Sequence, residues 1–141
     1  MIRTCAACGQ QNRIPPEHLA DAGRCGNCKG TLPPASEPID VDAEEFRRIV
    51  KASKVPILVD FWADWCAPCR MAAPMVKQTA QVMAGKALVL KVDTEANPEL
   101  ARMFQIRGIP NFVVLKDGNV VLQQAGLVRS EQMQHWLAQA A

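Results

Sequence analysis

The sequence predicts an α/β fold, a central mixed sheet flanked by helices, preceded by a small module that needs a metal to fold. Three observations carry that prediction. Beyond residue 38, helix-like and strand-like segments alternate, and two of them, PILVDFW and ALVLKVD, are continuous apolar runs of the kind buried on both faces of a sheet. Two further strand-like runs flank Asp117-Gly118, a strong hairpin signal. Before residue 33 the chain is instead polar and loop-like, with two Cys-x-x-Cys pairs.

At 141 residues the chain suits one ordinary domain plus a small accessory module. The formal net charge is only +2, and residues 1–36 account for it with Arg3, Arg13, Arg24 and Lys29 against Glu17 and Asp21. No basic stripe exists to follow a phosphate backbone, so nucleic acid is not an expected partner. No apolar run approaches the roughly 18–20 residues of a membrane span, so no membrane partner is expected either. The opening MIRTCAACGQ lacks the apolar centre of a secretory signal, which leads to an expected cytoplasmic location. In that compartment thiols stay reduced, and cysteine pairs more often bind metal or do redox chemistry than staple a fold.

Taken in order, residues 1–32 show little helical or alternating periodicity and are too few to bury a core unaided. LPPASEP, Leu32 to Pro38, reads as a short stiff linker that limits contact between the two parts. The expected division is 1–36 for the module with its linker and 37–141 for the α/β domain. Asp42 and Glu45 form a capping box for VDAEEFRRIV, with Phe46, Ile49 and Val50 on one face. PILVDFW follows as a buried strand. Cys66 to about Ala84 is helical, with Pro74 expected to kink it. After the strand ALVLKVD, Asn97-Pro98-Glu99 supplies a cap, a proline start and an acidic first turn for a helix to about Phe104. NFVVLKDGNVVLQQ gives the hairpin; Gly126 breaks the chain, and Ser130 caps a last helix through Met133, Trp136 and Leu137. The order is helix, strand, helix, strand, helix, strand, strand, helix, parallel where a helix intervenes and antiparallel at the hairpin.

Three CxxC pairs compete for roles. CAPC at Cys66 and Cys69 follows a buried strand and opens a helix. A helix start favours an anion, so the thiolate form of Cys66 gains. Cys69, one turn on and expected to lie deeper, is placed to attack a mixed disulfide formed at Cys66. Half a metal knuckle or a buried structural pair is the alternative, although no fourth pair exists to complete a second four-thiolate site. Cys5, Cys8, Cys25 and Cys28 form CxxC, sixteen intervening residues, CxxC, which suits one structural Zn²⁺ in a four-cysteine site. Two disulfides or mononuclear iron are the alternatives. Four thiolates already fill such a site, leaving His18 and His135 spare.

WADWCAPCR after ILVDF resembles the active site of the thioredoxin family, with Asp60, Trp65, Cys66, Pro68, Cys69 and Pro74 at matching positions. The resemblance continues through LVLKVD with Lys91, FQIRGIP with Ile109-Pro110, VVLKDGNVV at the hairpin, and QQAGLVRS with Gly126, covering nearly all of residues 40–141. With the cysteine module in front, the chain is similar to the bacterial thioredoxin-2 type. The resemblance implies a thioredoxin fold and a redox-active disulfide between Cys66 and Cys69. It makes Cys66 the attacking thiolate, Cys69 the resolving thiol, Asp60 a buried proton carrier with a raised pKa, and Lys91 the group that tunes it. Trp65 would cover the dithiol, Pro110 would be cis, and Trp65, Ala67, Pro68, Ile109, Pro110 and Gly126 would contact substrate. Two positions depart from the family pattern: Ala67 stands where Gly is usual, and Asn111 where Thr is usual. The implied activity is protein-disulfide reduction, recharged by an NADPH-dependent thioredoxin reductase, with the zinc module acting in partner choice or redox sensing. An oxidant or isomerase, and a zinc-dependent binding module or chaperone, are the competing readings.

Overall fold

The computed structural model describes residues 1–141 and contains two small sheets and one large one. In the module, β1 (Ile2–Thr4) pairs antiparallel with β2 (Gln11–Arg13), and β3 (Gly23–Arg24) with β4 (Thr31–Leu32). Each CxxC pair of this module therefore lies in the turn of a minute hairpin. The sequence reads as loop here, because strands of two or three residues are too short to show a period of two. A 3₁₀ turn at Pro16–His18 joins the two hairpins.

The large sheet is built from β5 (Ile39–Asp40), β6 (Ile57–Trp62), β7 (Leu88–Asp93), β8 (Asn111–Lys116) and β9 (Asn119–Ala125). Its helices are α1 (Ala43–Ala52), α2 (Ala67–Val82), α3 (Pro98–Met103) and α4 (Ser130–Ala140). The strand order is β5-β7-β6-β8-β9. Strands β5, β6 and β7 run parallel, while β8 is antiparallel to both β6 and β9. The predicted order lacks β5, whose two residues ahead of α1 give no pattern of their own. At the hairpin, Asp117 and Gly118 take φ of +53° and +80°, the doubly left-handed turn that matches strand twist.

The α1 cap forms as expected: Glu45 N–H donates to Asp42 Oδ1 at 2.8 Å, and Asp42 N–H to Glu45 Oε1 at 3.1 Å. Two other expected caps do not form. Asn97 turns its amide back to the Asp93 carbonyl at 3.1 Å, and Asp93 Oδ1 accepts the N–H groups of Glu95 and Ala96. Ser130 is the first residue of α4 rather than its cap, and its hydroxyl meets Thr79 Oγ1 at 2.8 Å, tying α4 to α2 in the interior. Helix α2 continues through Pro74, held by a buried stripe of Ala72, Val76, Thr79 and Ala80.

Alternate residues of the central strands feed two cores. Ile57, Val59 and Phe61 with Leu88, Leu90 and Val92 pack under α1 and α3, around Phe46, Ile49 and Leu100. Leu58, Val89, Phe112 and Val114 pack under α2 and α4, around Val76, Met133 and Leu137. The same alternation sends Asp60 and Lys91 to the α2 side.

The linker does not keep the two parts separate. Leu19, just after the 3₁₀ turn, is only 3% exposed and belongs to the core that contains Phe46 and Ile49. Met1, Ile14, Ala20 and Ala35 pack against that same core. Ala35 N–H donates to the Leu19 carbonyl at 3.0 Å, and Arg3 Nη2 donates to it at 3.0 Å. The attachment is thus apolar, which the sequence does not announce: a lone leucine between polar residues carries no periodic signal.

Candidate active site and metal centre

The end of β6 delivers the chain to the helix start that carries CAPC. Cys66 is the N-cap of α2, in extended conformation, with Ala67 and Pro68 exposed in the first turn. Pro68 is tolerated there because the first N–H groups of a helix have no intrahelical partner. Cys66 and Cys69 are joined as a disulfide. The Cys69 N–H donates to Cys66 Sγ at 3.2 Å, so one orphan donor of the helix start is aimed at that sulfur. Both residues are buried, at 3% exposure for Cys66 and 6% for Cys69. The expectation that Cys69 lies deeper is therefore corrected: depth does not separate the two sulfurs, and the helix-start donor does.

Across from this turn, the Ile109–Pro110 bond is cis, and the Ile109 carbonyl oxygen lies 3.6 Å from Cys66 Sγ. Gly126 donates its N–H to the Pro110 carbonyl at 2.8 Å and takes φ of +99°, a conformation open mainly to glycine. The structure thereby brings Ile109 to Cys66 and ties Gly126 to the same loop through Pro110, while Ala67 and Pro68 follow Cys66 exposed in the first turn of α2. Asn111 is buried; its amide reaches the Gly108 carbonyl at 3.4 Å, and Gln123 Nε2 donates to its Oδ1 at 3.3 Å. Trp65 is 67% exposed, held at the surface by its indole N–H, which donates to Glu95 Oε1 at 2.7 Å. Glu95 carries no signal in the sequence, since an acidic residue after a strand looks like an ordinary loop residue. Trp136 is a core residue, whereas Trp62 is only partly buried.

Asp60 is 1% exposed, and its Oδ1 has no hydrogen-bond partner. Burial pushes its carboxyl up to about 7; Lys91 opposes the rise and Asp40 adds to it. Lys91 stands beside Asp60 in register on β7, with its ammonium 4.9 Å from the centroid of the Trp62 ring. A small cavity of about 120 Å³ on this side is lined by Cys69, Trp62, Lys91 and Arg70 among others. A carboxyl that titrates near neutrality, on the sheet face covered by the helix that carries Cys69, can take and return a proton.

The second constellation is in the module. The sulfurs of Cys5, Cys8, Cys25 and Cys28 all lie within 4.8 Å of one another, with Cys5–Cys28 and Cys8–Cys25 both at 3.6 Å. A tetrahedral ion with metal–sulfur bonds of about 2.3 Å sets its sulfurs about 3.8 Å apart, so the four thiols fit one such ion. Backbone N–H groups of Asn27 and Gly30 donate to Cys25 and Cys28 at 3.4 Å, and the Asn12 and Asn27 amides reach Cys25 and Cys8 at 3.6 Å. Such donors support thiolates and orient them toward a metal. Cys25 is pushed down to about 6, chiefly by hydrogen bonding to the Cys28 backbone, against the opposing cost of burial.

With this geometry established, comparison with known proteins assigns the parts. A family model described as Thioredoxin matches residues 37–139, and one described as Thioredoxin 2, N-terminal, of the zinc-ribbon type, matches residues 4–30. Thioredoxin C-3 of Corynebacterium nephridii is 40% identical over 139 residues, covering 99% of this chain and 94% of that protein. Thioredoxin of Haemophilus influenzae is 36% identical over 104 residues, 74% of this chain and 97% of its own. Among solved structures, a mutant thioredoxin from Halobacterium salinarum NRC-1 superposes with a TM-score of 0.70 at 31% identity, over 75% of this chain and 92% of that one.

Proposed function

The chain belongs to the thioredoxin family, and on that premise we propose that it reduces protein disulfides through Cys66 and Cys69, in the cytoplasm, recharged by an NADPH-dependent thioredoxin reductase. Thiol–disulfide exchange is the family's activity, and the disulfide at the start of α2 is its working group. The observation that carries the reading is the N–H of Cys69 aimed at Cys66 Sγ, which distinguishes two otherwise equally buried sulfurs.

In the reduced state the Cys66 thiolate attacks one sulfur of the substrate disulfide, and the other sulfur leaves as a thiolate. Cys69 then gives its proton to Asp60 and attacks Cys66 Sγ. This closes the Cys66–Cys69 disulfide and releases the second substrate sulfur. Two electrons have passed to the substrate, and hydride from NADPH returns them through the reductase. Lys91 steadies the ionised form of Asp60. Ile109, Pro110 and Gly126, with Trp65, Ala67 and Pro68, form the surface that receives the extended substrate segment.

One Zn²⁺ held by Cys5, Cys8, Cys25 and Cys28 would supply the folding free energy the short module lacks. The module's place against α1 supports a part in partner choice or redox sensing. The test is reduction of insulin by the full chain with NADPH and a thioredoxin reductase, with metal analysis on the same preparation. Turnover that requires Cys66, with one zinc per chain, is expected. Absence of turnover overturns the reductase, and iron or no metal overturns the zinc assignment.

A further inference from the structure

A row of charge crosses three strands beside the dithiol. On the edge strand β5, Asp40 stands in register with Lys91 on β7, and Lys91 stands in register with Asp60 on β6. Registered neighbours share a face, and Ile39 packs into the opposite core, so all three side chains lie on the α2 side. The row is graded in solvent: Asp40 is exposed, Lys91 half-buried, Asp60 enclosed. An open cleft of about 590 Å³ reaches this row from outside, lined by Asp40, Asp42 and Asp93 around Lys91 and Trp62. Lys91 and Trp62 also wall the small cavity on the Cys69 side, where Asp64 and Arg70 are the other charged members. Arg3 and Glu37 share a second groove with Asp40, between module and domain.

We propose that Asp40 is a positioning residue for the dithiol chemistry: as the outer carboxylate of the row it competes with Asp60 for Lys91, and so sets how readily the inner carboxylate takes the Cys69 proton. The proposal rests on Asp60 being the proton acceptor, as put forward above. Lys91 ion-pairs with neither carboxylate and carries its ammonium over the Trp62 ring. Asp40 therefore acts by drawing the flexible end of the lysine outward, away from Asp60, and by repelling the inner carboxylate directly. Both effects act in the same direction and favour the protonated inner carboxyl. Strands are about 4.8 Å apart, which sets Asp40 and Asp60 roughly 10 Å apart, within reach of a partly screened charge.

The test follows the Asp60 carboxyl carbon by NMR across pH 5–9 in the reduced, zinc-loaded full chain, assigned with Asp60→Asn. Asp40→Asn should lower the Asp60 midpoint by roughly half a pH unit at low salt, and by less at about 1 M salt, where the screening length falls to about 3 Å. Asp40→Glu should keep the parent midpoint, and in Lys91→Gln the Asp40→Asn change should be smaller. The pH limb of the resolving step should move with the midpoint. An unmoved midpoint in Asp40→Asn, with Asp60 still titrating near neutrality, overturns the role of Asp40 alone. An undiminished change in Lys91→Gln overturns competition for the lysine. If Asp60→Asn leaves the pH profile of the resolving step as in the parent, the underlying assignment of Asp60 fails instead.

Discussion

Cys69 donates its backbone N–H to the sulfur of Cys66 at 3.2 Å, so the two members of the redox pair differ in hydrogen bonding although burial treats them alike. A thiolate at Cys66 is stabilised by that donor and by the helix start, and Cys69 has no equivalent. Cys66→Ser is therefore expected to abolish disulfide reduction and to form no adducts. Cys69→Ser should accumulate mixed disulfides with protein substrates, seen as thiol-sensitive bands on non-reducing gels. Adducts on Cys66→Ser and none on Cys69→Ser would reverse the two roles.

Asp60 makes stability depend on pH. Folding raises its carboxyl to about 7, whereas in the unfolded chain it ionises near 4. Between those limits the native state holds a proton that the unfolded state has released. Its contribution to stability therefore falls as pH rises from about 4 to about 7, and stays flat above. At neutral pH and above the penalty is on the order of 4 kcal/mol. Asp60→Asn should thus unfold at higher denaturant than the parent at pH 8, and the two should converge toward pH 4. A constant difference across that range would show that Asp60 is not protonated by folding.

Ala67 occupies the first helical position, where the family commonly has glycine. Gly costs a helix about 1 kcal/mol relative to Ala. A two-electron couple moves by roughly 30 mV per 1.4 kcal/mol, so Ala67→Gly should shift the reduction potential by about 20 mV at most. Equilibration with a glutathione buffer measures this. A shift several times larger would mean that the dipeptide acts on the thiolate rather than on the helix.

The sequence makes some of these relationships legible and hides others for physical reasons. CAPC, the capping box at Asp42 and Glu45, and the Asp117-Gly118 turn are local, so short-range chemistry announces them. That Asp60 shares a face with Leu58 and Trp62 follows from alternation along one strand, whereas which helices cover that face does not. By contrast, the pairing of Asp40 with Lys91 depends on the register of β5 against β7, strands some fifty residues apart that share no local pattern. Ser130 illustrates the same limit. Its position before an apolar stripe reads as a cap, yet its hydroxyl is claimed by Thr79 on another helix. Leu19 is the largest such case, an apolar residue whose partners, Phe46 and Ile49, lie in the other part of the chain.

That burial of Leu19 couples the metal centre to the stability of the reductase domain. The module has no core beyond Cys5, Cys25 and Leu32, so removing zinc should unfold it and withdraw Leu19 from the core it shares with Phe46 and Ile49. Leu19→Ala in the zinc-loaded protein should cost roughly 2–4 kcal/mol, the usual range for a buried leucine. In chelated protein the same substitution should cost little, because its packing has already been lost. The two changes should therefore be strongly non-additive in a double-mutant cycle. Residues 37–141 should still fold, with stability near that of chelated full chain, and should still reduce disulfides at Cys66, since their own strands supply both cores. Chemical denaturation of these five samples, with the insulin assay beside it, decides the matter. Equal stability with and without zinc would show that docking adds nothing, and an inactive shortened chain would show that the module is part of the working site.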